Sequence, residues 1–174
     1  MKNRVESLLE DDHASLDQLL TEVEEQLSKS QTSRAVELLD LFWARLAMHI
    51  RAEHLHLFPA LRDNAQHFSG QDRLPAFAEV ESALEVLQAD HNFFMKELGD
   101  MMKAARATPV DEAVFTDFVG RLSAIRKRLK THNQIEEQQV YFWPSLLFDE
   151  TKVSELNDRL KHELENLPPR FSID

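Results

Sequence analysis

Residues 39–59 read LDLFWARLAMHIRAEHLHLFP. Leu39, Phe42 and Leu46 recur at helical spacing, and the same stripe runs on through His49, Glu53 and His56. Residues spaced three and four apart share one face of a helix, the face that a bundle buries. This face is apolar for its first half and ionisable for its second. Three further stripes do the same. Val5, Leu9, Leu16, Leu20, Val23 and Leu27 make one, interrupted by His13. Val80, Leu84, Leu87, Phe94, Leu98 and Met101 make another, interrupted by His91. Phe115, Phe118, Leu122, Ile125 and Leu129 lead into His132 and Glu136.

Four such stripes predict an all-α fold, an antiparallel up-down-up-down four-helix bundle with a short fifth helix at about residues 151–165. The breaks are marked. Ser28 to Ser33 separates the first two stripes, and His67-Phe68-Ser69-Gly70 the second and third. Thr108-Pro109, with Asp111 placed for a capping box, opens the fourth helix. Pro59 and Pro144 end or kink the second and fourth helices. Residues 1–148 are expected to form the bundle, with repeats at about 5–66 and 75–146, and residues 149–174 a C-terminal helix and tail. At 1.5 Å rise per residue, His13, His49 and His91 fall at about one height, and His132 fits less closely.

Composition narrows the chemistry. The chain has 174 residues, 43% hydrophobic, with three glycines and six prolines, too few breakers for the turns of a sandwich or barrel. It has no cysteine, which excludes disulfide scaffolds, thiolate metal sites and thiol redox chemistry. The net charge of −11 comes without a basic block, so neither nucleic acid nor an anionic membrane is expected as a partner. No apolar run approaches a membrane span, and no signal peptide is read before Glu10-Asp11-Asp12. A cytoplasmic location is the expectation.

The halves repeat. Asp12-His13 and Leu20 recur as Asp90-His91 and Leu98, while His49-x-x-x-Glu53 with Leu57-Phe58-Pro59 recurs as His132-x-x-x-Glu136 with Phe142-Trp143-Pro144. In the second half the proline stands two residues farther from the glutamate. A histidine and a carboxylate four apart share a helix face, but this spacing alone is weak. The weight lies in four histidines and two glutamates on core stripes at matched heights. A buried, unpaired carboxylate costs several kcal/mol, about what a cation can offset. Imidazole and carboxylate donors suit iron, manganese or zinc, and six of them suit two ions bridged by the carboxylates.

This arrangement resembles the hemerythrin-like, or HHE cation-binding, family over about residues 5–146. The resemblance implies a non-haem di-iron centre, oxo- or hydroxo-bridged, with His13, His49, Glu53, His91, His132 and Glu136 as ligands and the two glutamates as bridges. It also implies a small gas or peroxide as partner. Oxygen-carrying members have a further histidine four residues after the third-helix histidine. Met95 stands there. The chain is thus similar to the four-His, two-Glu branch, which includes iron–sulfur-repair and nitric-oxide-related proteins. Repair members often carry an N-terminal segment with cysteines, which is not seen here. Two readings follow: a protein that binds or senses oxygen or nitric oxide, or a di-iron enzyme (oxidase, peroxidase or nitric-oxide reductase) or iron donor. A ferritin-like di-iron bundle is the structural rival, through Glu10-x-x-His13 and Glu53-x-x-His56, but it leaves His91 and His132 unused.

Around this set, His56 and Gln139 are read as outer groups supporting the ligands or lining a channel, with His56 an alternative ligand. Asp17 is either a seventh ligand or a polar group at the bundle edge. His54, His67 and His162 are expected at the surface. Phe94, Met95, Phe118 and Leu129 are expected in the core, where they would make a dry gas pocket. Trp43 and Tyr141 are assigned no role. The oligomeric state is left open.

Overall fold

The computed structural model describes residues 5–68, 74–107 and 112–171. Its elements are helices, and there is no strand among the described residues. Helix α1 (Val5–Ser28) packs antiparallel to α2 (Thr32–Ala52). A single π turn, Glu53–Leu57, carries α2 into α3 (Phe58–Phe68). Then α4 (Phe77–Ala107) and α5 (Glu112–Gln138) complete the bundle, α4 lying against α2 and α5 closing the ring against α1. The expected cap of α5 and part of the expected loop after residue 68 lie outside the described residues.

The turn between α1 and α2 shows why a short polar link suffices. Ser30 takes a left-handed φ of 56°. Its N–H bonds to the Leu27 carbonyl and that of Gln31 to the Gln26 carbonyl, both at 2.9 Å. This pair of crossed bonds satisfies carbonyls that the last helical turn leaves free.

Two apolar clusters fill the interior. One gathers Leu16, Leu20, Phe42, Phe94, Phe118 and Leu129 with their neighbours toward the α1–α2 turn. The other gathers Val5, Leu9, Leu57, Phe58, Leu84 and Trp143 at the opposite end. That second end is roofed by α3, a short α6 (Trp143–Leu147) and α7 (Glu150–Glu165). Asp149 caps α7, accepting from the Lys152 N–H at 2.9 Å. Leu156 and Leu160 bury its inner face. The ionisable residues of the four stripes lie between the two clusters.

The two prolines do different things. Pro59 has no N–H to offer the Leu55 carbonyl, and its ring crowds that carbonyl in an α-helix. The π turn stands in this place, with the Phe58 N–H bonding five residues back to Glu53, so the helix continues. Before Pro144 the chain leaves the helix instead. Gln139 adopts φ −136° and ψ −67°, and a 3-10 turn, Val140–Phe142, leads into α6.

Candidate metal centre

His13, His49, Glu53, His91, His132 and Glu136 are all buried, both glutamates completely. The four imidazoles present Nε2 to one shared interior volume. His13 Nε2 and His49 Nε2 are 3.2 Å apart, and His91 Nε2 and His132 Nε2 3.1 Å. The two carboxylates lie between these pairs. Glu53 turns Oε1 toward His49 Nε2 at 3.6 Å and Oε2 toward His91 Nε2 at 3.3 Å. Glu136 turns Oε2 toward His13 Nε2 at 3.3 Å and Oε1 toward His132 Nε2 at 3.0 Å. Each glutamate thus spans from one histidine pair to the other.

Each of these four histidines is oriented from behind through Nδ1. His49 donates to Asp12 at 2.9 Å, and His132 to Asp90 at 3.3 Å. Arg45 and Arg128 hold those aspartates in turn, at 2.9 and 2.6 Å. His13 donates to Glu137 at 2.8 Å, and His91 to His54 Nε2 at 2.9 Å. A proton on Nδ1 leaves Nε2 as a bare lone pair, the form in which imidazole binds a metal.

Those lone pairs and the carboxylates form an excess of acceptors. Glu53 Oε2 and Glu136 Oε1 are buried without any hydrogen-bond partner. Burial opposes charging His49, yet Glu53 and Asp12 outweigh it and hold its pKa well above the ordinary 6.5. His13 and His132 are raised in the same way, against their burial, chiefly by Glu136. Burial likewise opposes ionisation of Glu136, but His132, His13 and His91 hold its pKa well below the ordinary 4.5. The cluster therefore demands positive charge, from protons or from cations. Two groups have the compactness of a metal site: His13, His49 and Glu136, and His91, His132 and Glu136, their donor atoms within 4.8 Å of one another.

The profile of the Hemerythrin HHE cation binding domain matches residues 4–143. The chain belongs to this family. It is a metal-binding helical bundle of the kind whose members typically hold iron, and the donor set above fits such ions. Searches of curated proteins and of solved structures return no significant match. No described helix is long and apolar enough to cross a membrane.

The surrounding residues follow expectation in part and depart from it in part. His56 does not join the cluster; it faces α7, 3.9 Å from Glu163. Gln139 bonds to Glu79 at 3.0 Å, in solvent. The π turn explains the first: its wider turn shifts the helical phase by about one residue, so the inward position that seven-residue spacing had given to His56 falls to Leu57, which is completely buried. His54, expected at the surface, is partly buried against His91, and burial then the His91 charge lower its pKa. Asp17 is at the edge of the bundle, mostly exposed and paired with Arg126 at 2.7 Å. Glu10 is exposed and His56 turned away, so the ferritin-like spacing assembles nothing. Met95 packs against the apolar cluster, and Phe94, Phe118 and Leu129 are buried in it. His162 is exposed, and the side chain of His67 lies outside the described residues.

The largest omission is Tyr141. Its ring is fully buried and its hydroxyl reaches the centre of the cluster. It donates to Glu53 Oε1 at 2.9 Å and lies 3.1–3.2 Å from His13 Nε2, His49 Nε2 and Glu136 Oε2. Burial first, then the Glu136 and Glu53 charges, raise its pKa well above 10.0. The signal lay in the two extra residues between Glu136 and Pro144, which insert Val140 and Tyr141 relative to the first half.

A cleft of about 680 Å³ opens between α1 and α5 beside His13. Glu10, Asp17, Arg126, Lys130, Asn133 and Glu137 line it. It gives a small molecule a way to the edge of the cluster.

Proposed function

We propose that the chain holds two iron ions in this cluster and there binds or senses a small oxidant, oxygen or nitric oxide. His13, His49, Glu53, His91, His132 and Glu136 are the ligands in this reading, with both carboxylates as bridges. The observation that carries it is the placement of Glu53 and Glu136, completely buried, each facing one Nε2 pair with one oxygen and the other pair with the second. Such carboxylates need positive charge on both sides, and two cations supply it once the histidines are deprotonated. Iron, when bound, supplies the redox chemistry. The chain supplies eight donor atoms, neutral imidazoles fixed by Asp12, Asp90, Glu137 and His54, and apolar surroundings on two sides that keep bulk water out.

The cleft beside His13 is the observation that favours the second reading, a di-iron enzyme, because a substrate larger than a diatomic gas could enter it. Iron analysis and optical spectra of anaerobically reduced protein, before and after air or nitric oxide, separate these. Two irons per chain and a spectral change on adding one gas support the proposal; a single zinc, or a spectrum blind to both gases, overturns it. Met95 carries no imidazole, so air should oxidise the reduced protein without a long-lived adduct. An adduct that lasts minutes and releases oxygen under vacuum would instead make it a carrier.

A further inference from the structure

The phenol of Tyr141 is oversupplied with acceptors. With Nδ1 of His13 and His49 donating outward, both Nε2 atoms of the neutral rings, the form that binds a metal, can only accept. Glu53 Oε1 and Glu136 Oε2 can also only accept when ionised. Four lone-pair atoms therefore converge within 2.9–3.2 Å of one hydroxyl, which has a single proton to share. A cation among them removes this mismatch, and a hard anionic oxygen is a donor that iron accepts readily. The hydroxyl sits on one side only. On the other, Glu53 Oε2 and Glu136 Oε1 face His91 and His132 with no hydrogen-bond partner.

We propose that Tyr141 is a fifth protein ligand, through its phenolate oxygen, to the metal ion held by His13 and His49, so that the His91–His132 position is the one left open to an incoming small molecule. The inference rests on the two-metal reading above. Coordination breaks the O–H bond and releases the proton to solvent, with no change of oxidation state. The third protein anion also reduces the surplus charge that two cations leave over two carboxylates.

The chain contains one tyrosine, so any phenolate signal belongs to Tyr141. The test loads the full chain with ferrous iron under argon, counts the metal, and oxidises it. Expected are two irons per chain, a visible phenolate-to-iron charge-transfer band, and tyrosinate ring modes in the resonance Raman spectrum excited within it. Tyr141→Phe should retain two irons and lose the band entirely. A band that survives in Tyr141→Phe overturns the inference, and so does a two-iron wild-type protein without tyrosinate modes; both leave the two-metal reading standing. Fewer than two irons in the wild type overturns both. If Tyr141→Phe fails to fold, the wild-type Raman spectrum decides alone. Zinc titration of the metal-free protein gives an independent readout, since coordination should produce a tyrosinate near-ultraviolet difference spectrum, and its absence counts against the proposal.

Discussion

The two halves of the bundle match residue for residue around the cluster, until each half passes its glutamate. Asp12, His13, Arg45, His49 and Glu53 have Asp90, His91, Arg128, His132 and Glu136 as counterparts, in the same contacts. Beyond the glutamates, the first half takes a π turn and remains helical, bringing in His54. The second half breaks into a 3-10 turn and brings in Tyr141. The comparison teaches that symmetry supplies the donors and its local failure distinguishes the two sides. One side faces a phenol and the carboxylate-backed His13; the other faces bare carboxylate oxygens and the imidazole-backed His91.

The strongest way to break this comparison is to remove equivalent members of the proposed ligand set. His49→Ala and His132→Ala should each lose most of the bound metal, and both should melt close to the metal-free wild type. Metal present at about a thousandfold over its Kd adds about 4 kcal/mol to stability, so the drop should be plain in calorimetry. Retention of both ions in either variant would show that its histidine is no ligand.

A finer probe uses the aspartates. Asp12→Asn and Asp90→Asn each remove the carboxylate behind one histidine, and each should weaken metal binding by about 10–100-fold. Competition with a chelator measures this. Equal losses support the matched halves, whereas loss in one alone would show that only one of the two positions depends on its aspartate.

The metal-free protein offers a pH test. His13, His49 and His132 have raised folded pKa values, so their contribution is complete below 6.5 and fades as pH rises through those values. Glu136 is depressed, so its contribution is complete above 4.5 and fades as pH falls through its folded value. Metal-free protein should therefore melt highest between pH 4.5 and 6.5 and lose stability above that window. Metal-loaded protein should behave oppositely on the alkaline side, because binding requires the histidines deprotonated. Parallel melting profiles for the two forms would contradict the demand for positive charge.

The smallest effect lies away from the metal. Ser30→Gly relieves a left-handed residue and should stabilise the chain by about 0.5–1 kcal/mol, with metal content unchanged. Urea unfolding is sensitive enough to detect it.

What the sequence reveals follows the same division. Where the chain keeps 3.6 residues per turn, the phase carries from Leu39 to Glu53 and from Phe115 to Glu136, and stripe arithmetic brings the six donors together. Beyond Glu53 the phase shifts by about one residue, so a seven-residue count from His49 selects His56 when the buried position belongs to Leu57, and His54 comes to lie against His91. Beyond Glu136 the helix ends, and no periodicity can place Tyr141. The unequal glutamate-to-proline spacing was the visible trace of both events. Propensity could not reveal which side chain the extra residues would point inward.

The histidines of α1 and α4 are each steadied by the opposite half, His13 by Glu137 and His91 by His54. A half-length chain therefore prepares only one of its two histidines, His49 through Asp12 or His132 through Asp90. Severed into two helical pairs, this protein would consist of fragments incompetent alone and complementary together, and the ions would act as the clasp that makes their reunion worthwhile. Co-expressed fragments would in this way turn metal availability into an assembly signal.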